Sequence, residues 1–399
     1  MKMASSDYKY QHIGTVFRLI EQFELISRTD LAKLSGFAPA SMTLLTKTLI
    51  DHKFILERAS QNLPSRGRPA VGLAISPFYW HFLCLTVSAN KLTFFLCELN
   101  GKVVLQKIYP LTSADYAALE GYVMDCLADF ALEFSIDDKQ LLAISVSVMG
   151  KIDSNKTTIL QLGKHALASE LVSALQQKYS QPILMNEHFQ LWFLAESTLG
   201  SLIRHNNVIF LQLDENVNLS VLLKGQLLDE HKRMSIDKMV MPRFSPLSDE
   251  IATECGEIER YQLANQITFA ALTNLIDRYL PHSFSQTSEK IAWFCDQVEQ
   301  QHPQALAILN HLTDNLAYML MNLINIFSTE KIMFNSPLLR IKNTLFEQVQ
   351  QKLHNHLLLP DLNVDLVTSQ YSWDSPYIPA TAVKLGIYEG SLIKDIIQL

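Results

Sequence analysis

The chain of 399 residues is 48% apolar and 18% charged, a composition that excludes a largely disordered protein and, at this length, predicts two or three domains. No run of about eighteen apolar residues occurs, and the opening stretch MKMASSDYKYQH lacks the apolar run of a secretory signal, so we expect a cytoplasmic protein. The net charge of −7 is unevenly divided, because residues 1–76 carry +4 and the remainder −11, which favours a basic head on an acidic body.

The cysteines give no sign of metal or disulfide chemistry. They are odd in number, widely scattered and form no C-x-x-C pair. We therefore expect neither a disulfide framework nor a cysteine-rich zinc site, and we interpret the thiols as small buried side chains, with one reactive thiol as the alternative. The five are Cys84, Cys97, Cys126, Cys255 and Cys295.

The head begins with two predicted helices. Apolar residues recur at helical spacing from Ile13 and predict a first helix that ends near residue 24. The S-x-x-D box at residues 27–30 predicts the start of a second helix, because the Ser27 hydroxyl can accept a hydrogen bond from the Asp30 amide. This helix is expected to turn Leu31 and Leu34 inward and to end at Gly36.

A third helix follows, since Pro39 suits a first helical turn, where its missing amide proton is not needed. Two helices joined by a short turn that contains glycine are typical of a helix-turn-helix. In the stretch ASMTLLTKTLIDHKF, the predicted inward stripe is Met42, Leu45 and Leu49. The predicted outward residues are Ala40, Ser41, Thr43 and Lys47. The last three are candidate contacts of a recognition helix with the DNA major groove.

Residues 55–76, ILERASQNLPSRGRPAVGLAIS, predict a β-hairpin that serves as the wing of a winged helix-turn-helix. Its tip carries Arg66 and Arg68 on either side of a glycine, and such a loop can enter the narrow and strongly negative minor groove. Arg28 and Thr29, at the start of the second helix, are candidate phosphate contacts. The alternative is a generic helical subdomain with a solvated arginine loop.

Sequence blocks along nearly the whole chain carry a family resemblance. In the head they are ISRTDLAKLSGFAPASMTLLTKTLI and RGRPAVGL, and WHFL follows shortly after the head. In the rest of the chain they are LLAISVSVMGKID, LAESTLG, INIFSTEKIMFNSPL and YEGSLIKDIIQL. Together these blocks resemble the repressor branch of the ROK family (repressors, open reading frames and sugar kinases).

The resemblance implies an α/β fold class: an N-terminal winged helix-turn-helix followed by a two-lobed, actin-like or hexokinase-type body. Residues 1–76 form the DNA-binding domain, 77–200 the first lobe and 201–399 the second lobe, whose C-terminal helix returns to the first. The strand-like runs HFLCLTV, KLTFFLCEL, KVVLQKI and LLAISVSV, followed by the helical ALASELVSALQQKY, agree with a mixed α/β order. The resemblance also implies a homodimer or homotetramer formed through the body.

The motifs for phosphate transfer are changed. Kinases of the family carry a glycine-rich DxGGT-like loop, whose match here, residues 87–91, has neither glycine nor aspartate. The family's catalytic aspartate matches His188. We therefore expect no ATP binding, no cofactor and no enzymatic activity.

The sugar and zinc motifs are changed as well. The family's E-x-G-H element matches DKMV at 237–240, its glycine-rich G-A-G segment matches NLS at 218–220, and its C-x-C-G-x-x-G-C loop leaves only Cys255 and Gly256. One thiolate cannot hold tetrahedral zinc, so we expect no metal. Asn186, Glu187 and His188 are the candidate residual effector site, with a hydrogen-bonded structural cluster as the alternative.

The resemblance also suggests a protein partner. In some repressors of the family the inducer is a membrane-bound permease domain of the sugar phosphotransferase system, which captures the repressor. The C-terminal apolar stripe is a candidate tether for such a complex, and packing within the protein is the alternative. The stripe consists of Leu392, Ile393, Ile396 and Ile397.

The leading hypothesis is a homo-oligomeric repressor of genes for carbohydrate uptake or metabolism that binds a palindromic operator in double-stranded DNA. One alternative is a protein-capture signalling module controlled by a phosphotransferase component. A second is an active sugar kinase with an accessory head. The identity of any sugar effector stays open.

Overall fold

The structure, a computed structural model, describes residues 5–59, 71–133, 138–228, 235–354 and 364–398. Two units are distinguished by their internal packing. The first comprises Met1–Ala195 with Tyr371–Leu399, and the second comprises Glu196–Gln370. The head therefore belongs to the same unit as the first lobe and the C-terminal segment.

The head has the predicted order of three helices and two strands. They are α1 (Ser5–Phe23), α2 (Arg28–Ser35), α3 (Pro39–Asp51), β1 (Ile55–Ala59) and β2 (Val71–Ile75). The two strands pair antiparallel with Ile55 opposite Ile75, as in the predicted wing. The tip of the hairpin, with Arg66 and Arg68, lies outside the described residues.

The local signals that delimit α2 and α3 act as predicted. The Ser27 oxygen accepts a hydrogen bond from the Asp30 amide at 3.1 Å, and Gly36 ends the helix with a left-handed φ of 73°. Pro39 occupies the first turn of α3. Leu34 differs from the prediction: it is 54% exposed, because α2 has only two turns and its inward side is occupied by Leu31.

The first lobe is built on a mixed sheet of order β10-β6-β3-β4-β5, in which β3 is parallel to β6 and antiparallel to β4. Its strands are β3 (His81–Val87), β4 (Lys91–Glu98), β5 (Val103–Pro110), β6 (Leu141–Val148) and β10 (Ile183–Glu187). A smaller sheet contains β7 (Gly150–Ile152), β8 (Ile159–Leu162) and β9 (His165–Ser169). The helices are α4 (Leu119–Ala131), α5 (Leu171–Gln176) and α6 (His188–Thr198), with short 3-10 turns at Asp115–Ala118 and Asp138–Gln140.

The last two helices, α13 (Tyr377–Tyr388) and α14 (Ser391–Gln398), join the head to this lobe. One continuous apolar core contains residues of α1, α3, β3, β4, α13 and α14. Leu392 and Ile393 are buried in this core, and Ile396 and Ile397 pack against it. Packing within the protein thus accounts for the C-terminal stripe, the alternative to a tether.

A buried polar contact lies within this junction. The Lys384 ammonium on α13 pairs with the Glu21 carboxylate on α1, and the Tyr388 hydroxyl donates to the same carboxylate. The Arg18 guanidinium lies 5.7 Å from the centre of the Tyr388 ring. Burial, followed by the neighbouring Glu21 charge, raises the pKa of Tyr388, so the phenol remains a hydrogen-bond donor.

The second unit has its own mixed sheet, of order β13-β12-β11-β14-β15. The strands are β11 (Val208–Leu213), β12 (Val217–Leu223), β13 (Gln226–Leu227), β14 (Lys331–Asn335) and β15 (Asp365–Val367). The helices are α7 (Glu257–Arg260), α8 (Leu263–Ile267), α9 (Phe269–Tyr279), α10 (Thr287–Glu299), α11 (Pro303–Phe327) and α12 (Lys342–His354), with 3-10 turns at Pro246–Asp249 and Pro337–Ile341. The sheet and most of these helices share a separate apolar core. Among the residues described, no helix is long and apolar enough to cross a bilayer.

Candidate nucleic-acid interface

The third helix of the head is held by one buried face. Met42, Leu45 and Leu49 lie in the head core as predicted, and Thr46 is buried beside them. The opposite face is exposed and contains the predicted outward residues Ala40, Ser41, Thr43 and Lys47. The helix-turn-helix therefore presents the side of α3 that a recognition helix directs at the major groove.

The exposed face carries a cation and hydroxyl groups. Lys47 forms no ion pair within the ranges that the structure describes. The Thr43 hydroxyl donates to the Pro39 carbonyl at 3.0 Å, so its oxygen keeps lone pairs for a further donor. Ser41 is exposed one turn before Leu44, and Lys47 follows one turn after Leu44. Such a surface can contact both base edges and phosphates.

Arg28, a predicted phosphate contact, is also bonded within the head. Its Nε donates to the Thr46 hydroxyl at 3.0 Å, and its Nη2 binds the Glu57 carboxylate at 2.6 Å. These contacts hold the guanidinium against α3 and β1 beside an acid, while the Arg28 side chain stays 33% exposed, and its phosphate contact stays a prediction. Thr29 remains exposed at the first turn of α2, where helix amides favour an anion, and its phosphate contact stays a prediction.

Leu44 is a residue of the exposed face that the sequence interpretation missed. Its side chain is 61% exposed, in the middle of α3. The signal was available in the sequence, because Leu44 lies two residues from both Met42 and Thr46 and hence about 200° around the helix from each.

The candidate effector residues lie where β10 meets α6, in the first unit. His188 is buried, and its Nε2 lies 2.7 Å from the Trp373 carbonyl while its Nδ1 lies 2.8 Å from the Ser147 hydroxyl. Because a carbonyl only accepts, Nε2 carries the proton and Nδ1 accepts from Ser147. Burial lowers the pKa of His188 to about 4, although the Trp373 carbonyl and the charge of Asp374 act in the opposite direction. The ring is therefore neutral at pH 7, with both nitrogens engaged.

Asn186 and Glu187, the two residues before His188, also have interaction partners within the protein. The Asn186 side-chain oxygen accepts from the Lys156 ammonium at 2.9 Å, and Glu187 is buried. The three side chains thus lie in an internally bonded region, and their role as an effector site stays a prediction.

We expect His188 to make the stability of the first unit pH-dependent. The pKa of His188 is about 4 in the folded state and about 6.5 in the unfolded state, so between these values the histidine takes up a proton only on unfolding. The free energy of unfolding therefore decreases as the pH is lowered from about 7 to about 4. The loss between pH 7 and pH 5 is about 2 kcal/mol. Urea titrations at both pH values measure it, and His188→Gln is expected to remove that part of the difference. An unchanged difference in the variant contradicts the assignment.

The position that the resemblance matches to the phosphate loop is an ordinary hairpin turn between β3 and β4. The Ser88 hydroxyl donates to the Lys91 carbonyl at 2.9 Å and accepts from the Lys91 amide at 3.2 Å. The Lys91 amide is therefore used in a hydrogen bond within the turn. In a phosphate-binding loop, by contrast, several backbone amides point toward the ligand. The Lys91 ammonium lies 4.9 Å from the centre of the Trp373 ring.

The segment matched to the sugar-binding E-x-G-H element begins at Asp237, and the segment matched to the zinc loop retains Cys255. The Asp237 carboxylate accepts from Ser235 at 3.3 Å, and Cys255 is a partly buried free thiol. No group of three or more His, Cys, Asp or Glu side chains within the described ranges is arranged to hold a metal ion.

Comparison with known proteins places these features in a family context. The sequence profile described as the ROK family matches residues 82–384, beginning after the head. The chain is 24% identical to the DNA-binding transcriptional repressor Mlc of Escherichia coli strain K12, over 98% of this chain and 97% of that protein.

Solved structures agree on the fold. The crystal structure of a ROK family transcriptional regulator, a homologue of Escherichia coli Mlc, matches with a TM-score of 0.79 and 23% identity over 98% of this chain and 100% of that chain. A ROK hexokinase from Thermus thermophilus matches with a TM-score of 0.59 and 12% identity, over 76% of this chain and 98% of that chain. The regulator likeness thus covers a larger share of this chain than the kinase likeness does.

Proposed function

The chain belongs to the ROK family, and we propose that within it this protein is a DNA-binding transcriptional repressor of genes for carbohydrate uptake or metabolism. The observation that carries the proposal is the exposed face of α3, with its hydroxyls and the exposed Lys47, on a helix-turn-helix in a basic head. The similarity to the repressor Mlc over 98% of this chain, head included, supports it. Its site of action is then the cytoplasm, where operator DNA is found.

The arrangement of the helices and the wing in the head indicates which residues contact the DNA under this proposal. Ser41, Thr43 and Lys47 enter the major groove, and Arg66 and Arg68 at the tip of the wing enter the minor groove. Phosphates are contacted by Arg28 and Thr29 at the start of α2. A palindromic operator is contacted by two heads of a homodimer or homotetramer, because a two-fold protein matches two half-sites about one helical turn apart.

We further propose that the body is not an enzyme and serves oligomerisation and signal input. The neutral His188, both of whose ring nitrogens are bonded within the protein, supports this, since it leaves no free base at the position matched to the catalytic aspartate. The self-bonded turn at residues 87–91 supports it too. ATP turnover with hexoses or N-acetylhexosamines would favour a sugar kinase instead.

The single experiment that tests the main proposal is mapping of the DNA sites that the full-length protein occupies across the genome of its host. A repressor is expected to occupy a few palindromic sites beside genes of carbohydrate uptake or metabolism. Absence of sequence-specific occupancy contradicts the proposal.

Lys47→Ala is expected to weaken DNA binding and to lower the slope of log K against log salt by about one, because one cation fewer lies in the major groove between the two phosphate backbones. Titration of labelled duplex at several salt concentrations measures both. Lys178→Ala, at an exposed site outside the head, makes the same change in net charge and is the control. An equal slope for wild type and Lys47→Ala contradicts the placement of α3 against DNA.

A protein-capture module controlled by a phosphotransferase component is the second candidate. Permease-dependent capture, implied by the family resemblance, favours it. Pulldown of a purified sugar permease domain of that system tests it directly, whereas clear stabilisation of the protein by a free sugar would argue for a small-molecule inducer.

A further inference from the structure

One apolar side chain stands at the centre of the proposed DNA-reading face. Leu44 lies near the middle of α3, with Ala40 and Ser41 one turn before it and Lys47 and Thr48 one turn after it. These are its helical neighbours at three and four residues. At 61% exposure its branched end lies in solvent, on the side opposite the buried Met42 and Thr46.

The polar neighbours of Leu44 direct part of their hydrogen-bonding capacity back onto the helix. The Thr48 hydroxyl donates to the Leu44 carbonyl at 3.1 Å, and the Thr43 hydroxyl donates to the Pro39 carbonyl at 3.0 Å. Both hydroxyl protons are therefore already used. Ala40 is too small to cover Leu44 from the preceding turn. The middle of the face is consequently apolar, bordered by oxygen acceptors and one cation.

An apolar side chain surrounded by polar ones is complementary to one chemical group in the major groove, the methyl group of thymine. Of the base edges displayed there, the C5 methyl of thymine is the apolar one, and the others offer hydrogen-bond donors and acceptors. Contact between the isobutyl group of Leu44 and a methyl group favours binding, because apolar surface leaves water. Contact with a polar base edge disfavours binding, because the polar groups lose their hydrogen bonds to water without gaining a partner.

We propose that Leu44 contacts a thymine methyl group and so requires a thymine at one position of each operator half-site. This inference rests on the proposed function and adds a specificity determinant to it. A protein surface is less well suited to this face, since Lys47 adjoins Leu44 and interface cores are depleted in lysine.

The test begins with full-length protein and a pool of randomised DNA duplexes, from which bound sequences are selected. Each thymine of a selected site is then replaced by deoxyuridine, which removes the C5 methyl and leaves base pairing intact. Wild-type protein is expected to bind about fourfold more weakly when one particular thymine per half-site loses its methyl group. This factor corresponds to the free energy of burying one methyl group.

Leu44→Ala is expected to bind the thymine and deoxyuridine duplexes equally, because its side chain ends at Cβ. Leu44 is exposed, so we expect this variant to fold, and its thermal unfolding is compared with that of wild type. Leu34→Ala shortens an exposed leucine of α2 and is the matched control; it is expected to keep the fourfold discrimination.

The outcomes separate this inference from the proposed function. If no sequence is enriched, the proposed function fails and the inference with it. If sites are enriched but no deoxyuridine position weakens binding, or if Leu44→Ala keeps the discrimination, only the thymine contact is overturned. A change of oligomeric state in Leu44→Ala with discrimination retained overturns it in favour of a protein contact.

Discussion

Lys384→Met is expected to lower the free energy of unfolding of the first unit by about 3–5 kcal/mol, because it leaves a buried carboxylate without its cation. The side chains of Lys384 and Glu21 are 3% and 10% exposed. Methionine preserves most of the lysine volume, so the loss reports charge and not a cavity. Of the two partners that the structure gives the Glu21 carboxylate, only the Tyr388 hydroxyl is then retained.

The measurement is a urea titration of the full-length protein, read by hydrogen exchange of the α1 and α13 amides, which separates the first unit from the second. Lys102→Ala, an exposed lysine of the same unit, is the control and should change stability by no more than about 0.5 kcal/mol. The neutral double variant Glu21→Gln with Lys384→Met is expected to recover about 2 kcal/mol or more, because no charge remains buried alone. A loss below about 1 kcal/mol for Lys384→Met, typical of a surface pair, would contradict the buried pairing.

The position of this pair bears on the function of the head. Glu21 lies on α1, whose other contacts include α3, and Lys384 lies on α13, which packs on the sheet of the first lobe. The head is therefore fixed to the lobe by charge as well as by apolar contact. A repressor whose body receives the signal needs such a connection to its DNA-binding element, and α1 supplies it under the proposed function.

The local features of the head were predictable from sequence because short-range physics determines them. The Ser27 cap, the left-handed Gly36 and Pro39 in the first turn each act over at most four residues, and they delimit α2 and α3 as predicted. Four of the five strands of the first sheet, β3 to β6, also followed from their apolar runs, and β10 was not predicted. The two α/β units with mixed sheets agree with the fold that the family resemblance implied.

Long-range partners were not predictable in this way. The contacts of Arg28 depend on Thr46 and Glu57, and the state of His188 depends on Ser147 and on a carbonyl 185 residues later in the chain. No periodicity records such pairings, since they arise only when separate elements pack. Leu44 was assigned to neither face of α3 from the sequence, although its angle around the helix already places it outside.

Gly14→Ala is expected to destabilise the first unit by about 4 kcal/mol or more, because α1 and the end of α13 approach too closely for a side chain. A Cβ at this position would overlap the Tyr388 carbonyl oxygen and lie 2.5 Å from that of Ile387. Backbone atoms cannot turn aside as a flexible side chain can, so α1 must move away from α13 and carry the Glu21 contact with it. The same urea titration with hydrogen exchange measures the loss.

Gly121→Ala is the matched control, since Gly121 is also helical, in α4, and an added Cβ there meets nothing within 4 Å. Alanine is a better helix former than glycine, so this change is expected to stabilise the unit by up to about 1 kcal/mol. The same substitution therefore has opposite signs at the two sites, and helix propensity cannot account for the loss at Gly14. Similar stabilisation by both variants would show that α1 does not pack against α13 at this distance, and the connection between the head and the first lobe would then rest on the other contacts of α1.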